Sequence, residues 1–431
     1  MEEGRTLVTT SPWPTPTSVD GVWISDLTAY PKPPARERAP YAYRATVPPL
    51  IAGTTPELSL HAVAALDAAT VALALLNADQ SNTYGLVAVS LLRVEAVSSS
   101  RIEGLKASHR AIAEAREVPS SAKTLALEVA GNVHAMEHAI DLADAQPFSV
   151  NMMKSIHETL AEGSPSLRSV AGVVRDRQNW IGPSNHGPFN AIYVPPPPSE
   201  IGHLLSDLVA FARQTDFPPI LQAGIVHAQF EAIHPFGDGN GRVGRALIHV
   251  ILRQRMMTPL AIPPISATLV ARRDGYHEAL RRYQQEGDLN AWMIFFANAT
   301  TEAARRALEL SREVNDLLED WSERLGPRRS GAAVTQLLRI LLRRPVLTAA
   351  GAAEAVGISE TASRRALLDL EAIGIVKQIT VGRRNRVWEA GDVFDLLDRY
   401  EHAAASSGGG QIPALSRHLR RDEQDREPRW R

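Results

Sequence analysis

The chain has 431 residues, enough for about three domains and a substantial hydrophobic core. Its net charge of −2 favours no class of partner, and the absence of cysteine excludes disulfides and cysteine nucleophiles and fits a reducing compartment. The sequence near the N-terminus has no apolar signal core, and we find no run of membrane-spanning length, so we expect a soluble cytoplasmic protein.

Residues 1–55 are rich in proline, which favours extended and irregular structure over helix. We expect this arm to wrap the outside of a helical core. The patches Trp23-Ile24 and Tyr41-Ala42-Tyr43 are its candidate anchors.

A helical region is predicted over residues 56–120, with one helix from Pro56 to Ala78 and a second beginning near Leu86. The second helix ends in the segment Ser98-Ser99-Ser100-Arg101-Ile102-Glu103-Gly104. Spacing alone indicates a serine-rich helix end, with Gly104 as its C-cap and Glu103 as an ordinary solvated charge.

Residues 121–325 predict a helical bundle with one interruption. Helices are expected over 122–144 and 149–161, and the helical pattern breaks between Ser164 and Pro198. A turn at Asn185-His186-Gly187, followed by alternation up to Pro195, predicts a β-hairpin. The four consecutive prolines, residues 195–198, would also suit a polyproline-II ligand for an SH3-like partner, which we consider the weaker interpretation.

Further helices over 200–214 and 218–233 precede the run His234-Pro-Phe-Gly-Asp-Gly-Asn-Gly-Arg-Val-Gly-Arg245. Apolar residues recur at helical spacing from Asn240 onward, so the glycine-rich loop leads into a helix N-terminus. Free backbone N–H groups at such an end bind anions. The helix dipole disfavours cations there, so Arg242 and Arg245 in the first turns indicate that an anion is expected.

Two side chains in this run carry chemistry. Asp238 suits a Mg²⁺ ion that bridges phosphates, because Mg²⁺ usually takes one or two carboxylates together with phosphate oxygens and water. His234 is a candidate general base beside a bound polyphosphate.

Three other interpretations of the run and of the helix before it are weaker. The pattern Gly239-x-Gly241-x-x-Gly244 matches a dinucleotide fingerprint, but the strand that should precede it is missing. No Lys-Ser/Thr pair follows the glycines, so it is not a Walker A loop. His227 and Glu231 could bind a metal, although without a third ligand a structural histidine fits better.

Helices over 266–285 and 290–325 complete the predicted bundle, and residues 326–332 indicate a linker. The aromatic side chains of the last two helices lie at core spacing. They are Tyr276, His277, Trp292, Phe295 and Phe296.

Residues 333–402 predict a helix-turn-helix with a β-wing, in which Ser359 is a plausible N-cap. Candidate DNA contacts are Arg364, Arg365, Arg383, Arg384 and Arg386. Because acidic residues elsewhere in the unit cancel most of this charge, DNA binding and a dimerisation or substrate-docking role both stay open. Residues 403–431 have a composition typical of disorder.

The run from His234 to Arg245 resembles the full signature of the Fic (filamentation induced by cAMP) family. The resemblance implies a mainly α fold, a Fic-type helical bundle with a small β-hairpin flap, joined here to the predicted winged helix. It also implies a protein adenylyltransferase that moves AMP from ATP to a Ser, Thr or Tyr hydroxyl of a target protein or of the chain itself. A phosphorylating branch of the family has a lysine where Gly241 stands, which argues against kinase activity.

The resemblance further implies a role for each site residue. His234 would remove the hydroxyl proton, and Asp238 would hold Mg²⁺ (or Mn²⁺). The implied ATP-binding residues are Gly237, Gly239, Asn240, Gly241, Arg242 and Arg245. The implied flap residues, which would hold a target segment by strand-like pairing, are Phe189, Asn190, Ala191, Ile192 and Tyr193.

The pattern Ser99-x-x-x-Glu103-Gly104 resembles the inhibitory motif of one Fic class. In that class the glutamate pairs with the second signature arginine, here Arg245, and a bidentate pair would occupy the place of the ATP γ-phosphate. Two alternatives stay open. Glu103 could position water for AMP removal, or the chain could be a DNA-binding regulator whose Fic domain senses nucleotide. A homodimer is also plausible, and the protein target is not identifiable from these residues.

Overall fold

The computed structural model describes residues 13–78, 84–329, 332–379 and 386–407. The fold is mainly helical, as predicted. Its helices are α1 (Leu60–Asn77), α2 (Tyr84–Ile102), α3 (His109–Glu117), α4 (Thr124–Ala145), α5 (Val150–Glu162), α6 (Pro198–Ala212), α7 (Pro219–Ile233), α8 (Asn240–Gln254), α9 (Ile265–Ala271), α10 (Arg273–Glu286), α11 (Leu289–Arg329), α12 (Ala332–Arg343), α13 (Ala349–Val356), α14 (Glu360–Ala372) and α15 (Gly391–Ser407). The strands of the described residues are β1 (Thr17–Trp23), β2 (Tyr41–Val47), β3 (Val346–Thr348), β4 (Lys377–Gln378) and β5 (Val387–Glu389).

The helices α7 and α8 form the centre of the bundle. Every residue of α7 from Ile220 to Ile233 is buried, because α6, α8, α10 and α11 all pack around it. A helix that is buried on every side belongs to the core, and its polar side chains need partners there. The two helices are joined by the loop that carries the signature, so the loop is fixed to the most buried part of the molecule.

The helix α1 is apolar enough to test the expectation about membrane-spanning runs. Its 18 residues have a mean hydropathy of 1.6, which makes it long and apolar enough to cross a membrane by length and composition. The expectation that no run reaches this length is therefore wrong for α1. The helix packs along α11 through Ala62, Leu66 and Leu73, and a core helix passes the same test.

The proline-rich arm forms an antiparallel ribbon. Strand β1 pairs with β2 from Thr17 opposite Val47 to Trp23 opposite Tyr41. The Thr46 N–H group donates to the Val194 carbonyl at 2.8 Å, which joins the ribbon to the segment before α6. The arm is extended, as predicted, and the two strands lie between its prolines.

The C-terminal unit follows a break in α11 at Gly326, where φ is +61°. The predicted helix-turn-helix corresponds to α13 and α14, with Gly357 left-handed between them and the Ser359 hydroxyl accepting from the Ala362 N–H at 3.2 Å. A three-stranded sheet in the order β3-β5-β4 adjoins them. Strand β3 and helix α15 were not predicted, and α15 continues to Ser407, past the expected start of the tail.

Some predicted features lie outside the described residues. They are Arg383 and Arg384 of the expected wing, part of the linker, and the tail beyond residue 407.

Helix α15 returns to the helices around the signature. The Glu401 carboxylate lies 2.5 Å from Arg101 of α2 and 2.9 Å from His109 of α3. Asp398 completes a cluster with His109 and Glu401 that could hold a metal ion, but the nearby guanidinium of Arg101 favours an ion-pair network instead. The C-terminal unit is thus attached to the helix that carries Ser99.

We predict that Glu401→Gln lowers the free energy of unfolding at pH 7 by about 1–3 kcal/mol, because it leaves His109 and Arg101 without their carboxylate. Burial raises the pKa of Glu401, but His109 and Arg101 outweigh it and lower the pKa below its usual value. The contribution should therefore be complete above about pH 4.5 and disappear as the pH falls through the lowered pKa.

Urea unfolding at pH 7 and at acid pH checks this prediction. The matched control is Glu313→Gln, since Glu313 pairs with Arg399 at 3.5 Å in an exposed position and should contribute about 0–1 kcal/mol. An equal loss in the two variants would contradict the assignment.

Candidate active site

The signature begins at the end of α7 with a left-handed residue. His234 has φ 50° and ψ 60° and caps α7, its N–H donating to the Phe230 carbonyl at 2.8 Å. A non-glycine residue in this region costs free energy and occurs where a structure holds a side chain in a required direction. Gly239, with φ +78°, makes the second turn and begins α8.

The Asn240 side chain closes the loop upon itself. Its Oδ1 accepts from the Phe236 N–H and its Nδ2 donates to the Phe236 carbonyl, both at 2.8 Å. The Phe236 ring is buried and stacks on His157 at 4.1 Å. The side-chain amide of Asn240 is therefore occupied by the loop, and any contact with an anion would come from its backbone N–H.

Residues far away in sequence hold the outer side of the loop. His157 Nδ1 accepts from the Gly172 N–H at 2.9 Å, so Nε2 carries the proton and donates to the Asp238 carbonyl at 3.1 Å. Arg175 donates from Nε to the His234 carbonyl at 2.9 Å and from Nη2 to the Pro196 carbonyl at 2.7 Å. Sequence reasoning missed both residues, since neither lies in a recognisable pattern.

The His234 imidazole can act as a base at neutral pH. Its side chain is 15% exposed at the edge of a cavity, and Nδ1 lies 3.9 Å from the Glu231 carboxylate. Burial lowers the pKa of His234 to about 4, and the charge of Arg175 contributes. The ring is therefore neutral at pH 7, with a lone pair free to accept a proton.

Two buried polar residues, Glu231 and His227, lie behind His234, and the sequence favoured a structural role for the histidine. Burial raises the pKa of Glu231 to about 7. His227 bonds Tyr276 at 2.9 Å through Nε2, and burial lowers the pKa of His227 to about 3. A neutral histidine bonded to a tyrosine agrees with the structural interpretation of His227 rather than with a metal ligand.

Glu103 and Arg245 meet across 142 positions of sequence. Arg245 Nη2 donates to Glu103 Oε1 at 2.7 Å and to the Ser99 carbonyl at 2.9 Å, and Nε donates to the Ser99 hydroxyl at 2.8 Å. The structure thus brings together the residues of both motifs. The contact uses one carboxylate oxygen, whereas a bidentate pair was expected. Ser99 accepts from Nε through its hydroxyl and from the second N–H of Nη2 through its carbonyl.

The electrostatics of this pair favour the charged carboxylate. Burial would raise the pKa of Glu103, but the Arg245 guanidinium outweighs it, and the pKa is lowered. The Arg245 side chain is 1% exposed and that of Glu103 is 38% exposed. A Cβ added at Gly241 would collide with Glu103 Oε1, so the carboxylate lies directly against the first turn of α8.

These groups surround a cavity of about 650 Å³, a size suited to a nucleotide. Its lining includes Glu103, His234, Asp238, Gly239, Asn240, Gly241 and Arg245, together with Arg273, Tyr276 and His277 of α10. Arg242 was expected beside them. Its side chain is instead 4% exposed and lies 3.8 Å from Glu128 of α4. Gly237 is exposed on the loop.

Asp238 fits a divalent cation. Its carboxylate is exposed and lines the cavity, with Oδ1 accepting from the Gly239 N–H at 2.6 Å. One carboxylate beside a phosphate site is the usual protein contribution to a Mg²⁺ ion.

The predicted hairpin is present as a single antiparallel bridge. Ile181 and Tyr193 exchange backbone hydrogen bonds of 2.8 Å and 3.1 Å. Ile192 is 64% exposed beside the cavity. Tyr193 is buried and donates from its hydroxyl to the Ala232 carbonyl at 2.8 Å, which makes it a support of the flap. Asn190 is left-handed, with φ 54°.

The N-terminal arm holds this flap, a contact that sequence reasoning missed. Trp23 donates from its indole to the His186 carbonyl at 2.9 Å and packs edge-on against Trp180 at 5.1 Å. Tyr41 packs edge-on against Phe189 at 5.4 Å. Trp23 and Tyr41 are therefore anchors, as predicted. The neighbouring Ile24 is 75% exposed and anchors nothing visible among the described residues.

The candidate DNA contacts lie elsewhere. Arg364 and Arg365 are exposed on α14, and Arg386 is partly buried. Arg364 pairs with Glu360 at 3.2 Å. The described part of this face is therefore mixed in charge.

The geometry defines an anion-binding helix start with a neutral base and an adjacent carboxylate. Two family models match consecutive regions that carry these residues: "Fic/DOC family N-terminal" over residues 63–141 and "Fic/DOC family" over residues 147–252. Residues 63–252 of this chain thus form a Fic/DOC family region.

Curated relatives match shorter stretches. The "Probable protein adenylyltransferase" of Aquifex aeolicus is 35% identical over 98 residues, which cover 22% of this chain and 28% of that protein. The "Protein adenylyltransferase Fic" of Aedes aegypti is 27% identical over 159 residues, 34% of this chain and 30% of that protein. This chain thus spans less than a third of either relative.

Solved structures with a related fold include a Fic family protein from Desulfovibrio desulfuricans. Its TM-score is 0.49 at 18% identity, covering 78% of this chain and 97% of that one. Fic-1 from C. elegans has a TM-score of 0.44 at 20% identity, covering 58% and 73%.

We predict that Asn240→Ala lowers the free energy of unfolding by about 1–3 kcal/mol, because it leaves the buried N–H of Phe236 unpaired, while the Phe236 carbonyl keeps its bond from Asn179 Nδ2 at 3.0 Å. Urea unfolding measures the loss. Gly237→Ala is the control: a Cβ there meets open space, so the change should stay within about 0.5 kcal/mol. A wild-type stability in Asn240→Ala would mean that the loop does not depend on this side chain.

Proposed function

We propose that this chain is a protein adenylyltransferase that transfers AMP from ATP to a hydroxyl side chain, and that Glu103 restrains it. The observation that carries the proposal is the meeting of His234, Asp238 and the Glu103–Arg245 pair at one nucleotide-sized cavity. The names of the curated relatives support the same activity. The target protein, or self-modification, is left to experiment.

The reaction assigns a task to each group. The hydroxyl oxygen of the target attacks the α-phosphorus of ATP, the bond to pyrophosphate breaks, and the neutral His234 accepts the hydroxyl proton. Arg245 and the backbone N–H groups of Asn240 and Gly241 offset phosphate charge. A divalent cation held by Asp238, when bound, would screen the phosphate oxygens further.

The restraint follows from competition for one guanidinium. Arg245 is buried and gives Nε and both N–H groups of Nη2 to Ser99 and Glu103. A phosphate that Arg245 is to neutralise must displace the Glu103 carboxylate. Otherwise the phosphate binds in a different pose, beside a carboxylate whose charge has the same sign as its own. Removal of the carboxylate therefore frees the position that the phosphate needs.

We predict that Glu103→Gly gains a mass of one AMP faster than wild type when it is incubated with Mg²⁺ and ATP, and that Glu103→Gln does so too. His234→Ala, alone or with Glu103→Gly, should lose about 10²–10⁴-fold in rate. Intact-mass analysis with ATP labelled at the α-phosphate measures both.

The matched control is Glu162→Gly, an exposed glutamate at the end of α5 that should leave labelling unchanged. Equal labelling of wild type and Glu103→Gly would rule out the restraint. Binding of ATP without labelling in every variant would rule out the transferase.

Removal of AMP is a second candidate for the same residues. A charged Glu103 at the mouth of the cavity could orient water toward an AMP ester. Release of free AMP from an adenylylated substrate, lost in Glu103→Gln, would support this direction. Release that is unchanged in Glu103→Gln would exclude a role for the carboxylate.

The lowered pKa of His234 makes a pH prediction. The Glu103 charge raises the pKa of His234, so its removal can only lower that pKa further; kcat/KM of the Glu103→Gly variant should stay high through pH 6, with the acid fall at about pH 4 or below rather than near the usual histidine pKa of about 6.5. The measurement is the pH profile of labelling at low ATP, with circular dichroism confirming that the chain stays folded. A fall centred near pH 6.5 would contradict the assigned environment of His234.

A regulatory role through DNA is supported by one observation, the adjacent exposed Arg364 and Arg365 on the second helix of the helix-turn-helix. A salt-dependent gel shift on the promoter region of the gene itself tests it. Loss of the shift in the double variant Arg364→Gln with Arg365→Gln would support the role. Absence of any shift at low salt would dismiss it.

A further inference from the structure

A second cavity adjoins helix α2, which carries Ser99. It has a volume of about 340 Å³ and lies between α2, α3, α4 and the junction of α12 with β3. Its charged lining consists of Arg93, Arg116, Glu117, Glu137, Arg343 and Arg344. It shares no lining residue with the nucleotide-sized cavity.

Arg93 on α2 is the unusual member of this lining. Its side chain is buried, with the residue 4% exposed, and Nη2 donates to the Arg343 carbonyl. Among the described residues, Nε and Nη1 have no hydrogen-bond partner. Burial of unpaired N–H donors on a charged group is costly, so a partner is expected.

The charges of the cavity do not balance. Arg116 forms two hydrogen bonds of 2.9 Å with Glu137, and Arg344 lies 2.7 Å from Glu117. These pairs use both carboxylates of the lining. Arg93 and Arg343 therefore face the cavity with no carboxylate among the described residues, and Arg343 donates only to the Gly85 carbonyl at 3.1 Å.

Burial, with the charge of Arg116 adding to it, lowers the pKa of Arg93 to about 10. The side chain is still charged at pH 7. The cost of holding an unpaired charge beside a second arginine would be relieved by an anion in the cavity.

We propose that this cavity binds a small phosphate-class oxyanion, held between Arg93 and Arg343. Guanidinium groups recognise phosphate oxygens through paired, charge-assisted hydrogen bonds. The volume accommodates a phosphate group with a small substituent and lies at the low end of ligand pockets. The shared chemistry is the phosphate group, which can come from free phosphate or from a phosphomonoester.

The proposed anion site lies between α2 and the C-terminal unit. Arg93 lies ten residues before Glu103 on the same helical segment, and Arg343 belongs to the C-terminal unit. An anion bonded to both would fasten the C-terminal unit to the helix that presents the inhibitory glutamate. The anion therefore stabilises the assembled state of the full chain.

The test is thermal unfolding of the full chain in inorganic phosphate against sodium chloride of equal ionic strength. At phosphate tenfold above its Kd, Tm should rise by about 1–2 °C. Arg93→Met should abolish the rise. Arg343→Gln, at an exposed position that should not disturb folding, should raise the half-saturating phosphate concentration by about tenfold. If Arg93→Met does not fold, Arg343→Gln decides.

A control separates this cavity from the signature loop. Arg245→Gln removes the guanidinium that lines the nucleotide-sized cavity and should leave the phosphate-dependent rise in place. A rise that disappears in Arg245→Gln but persists in Arg343→Gln would place the anion at the signature and overturn the proposal. So would the absence of any phosphate-specific rise in wild type.

Phosphoserine serves as the second probe. Saturation at a lower concentration than that of inorganic phosphate supports a phosphomonoester as the ligand. Equal half-saturating concentrations support free phosphate as the ligand. A rise in Tm with phosphate but none with phosphoserine supports free phosphate as well. The result does not depend on adenylyltransferase activity, so the two proposals can fail separately.

Discussion

The buried guanidinium of Arg245 is the constraint on which the site depends. Arginine does not lose its proton inside a protein, so a guanidinium that is 1% exposed needs anionic and carbonyl partners. Glu103 and Ser99 supply them from α2, and this ties α2 to α8. A phosphate in the cavity would meet the same guanidinium, so the contact that holds α2 against α8 is also the contact on which the proposed restraint rests.

Helix α2 is joined to its surroundings by further polar contacts. Glu95, one turn before Ser99, is buried between His249 of α8 at 2.9 Å and the Ser266 hydroxyl and N–H at the start of α9. At the end of α2, Arg101 meets Glu401 of α15. A shift of the helix would break several buried bonds together, so its position is coupled both to the signature helix and to the C-terminal unit.

The site is rigid on one side and adaptable on the other. The loop after His234 is held by buried side chains of α5 and of the segment that follows it. The flap is a single bridge supported by the aromatic residues of the N-terminal arm. Such a division would suit the proposed adenylyltransferase, because phosphate chemistry needs fixed groups and a protein target needs an edge that can accept different segments.

Local patterns in the sequence determined most of the helices, the N-cap at Ser359 and the loop that leads into α8, because each signal lies within a few residues. The meeting of Glu103 with Arg245 came only from family resemblance. Tertiary structure alone decided that Asn240 bonds its own loop, that Arg242 faces α4, and that the arm supports the flap. Those contacts join segments whose separation is set by helix packing, which no local pattern encodes.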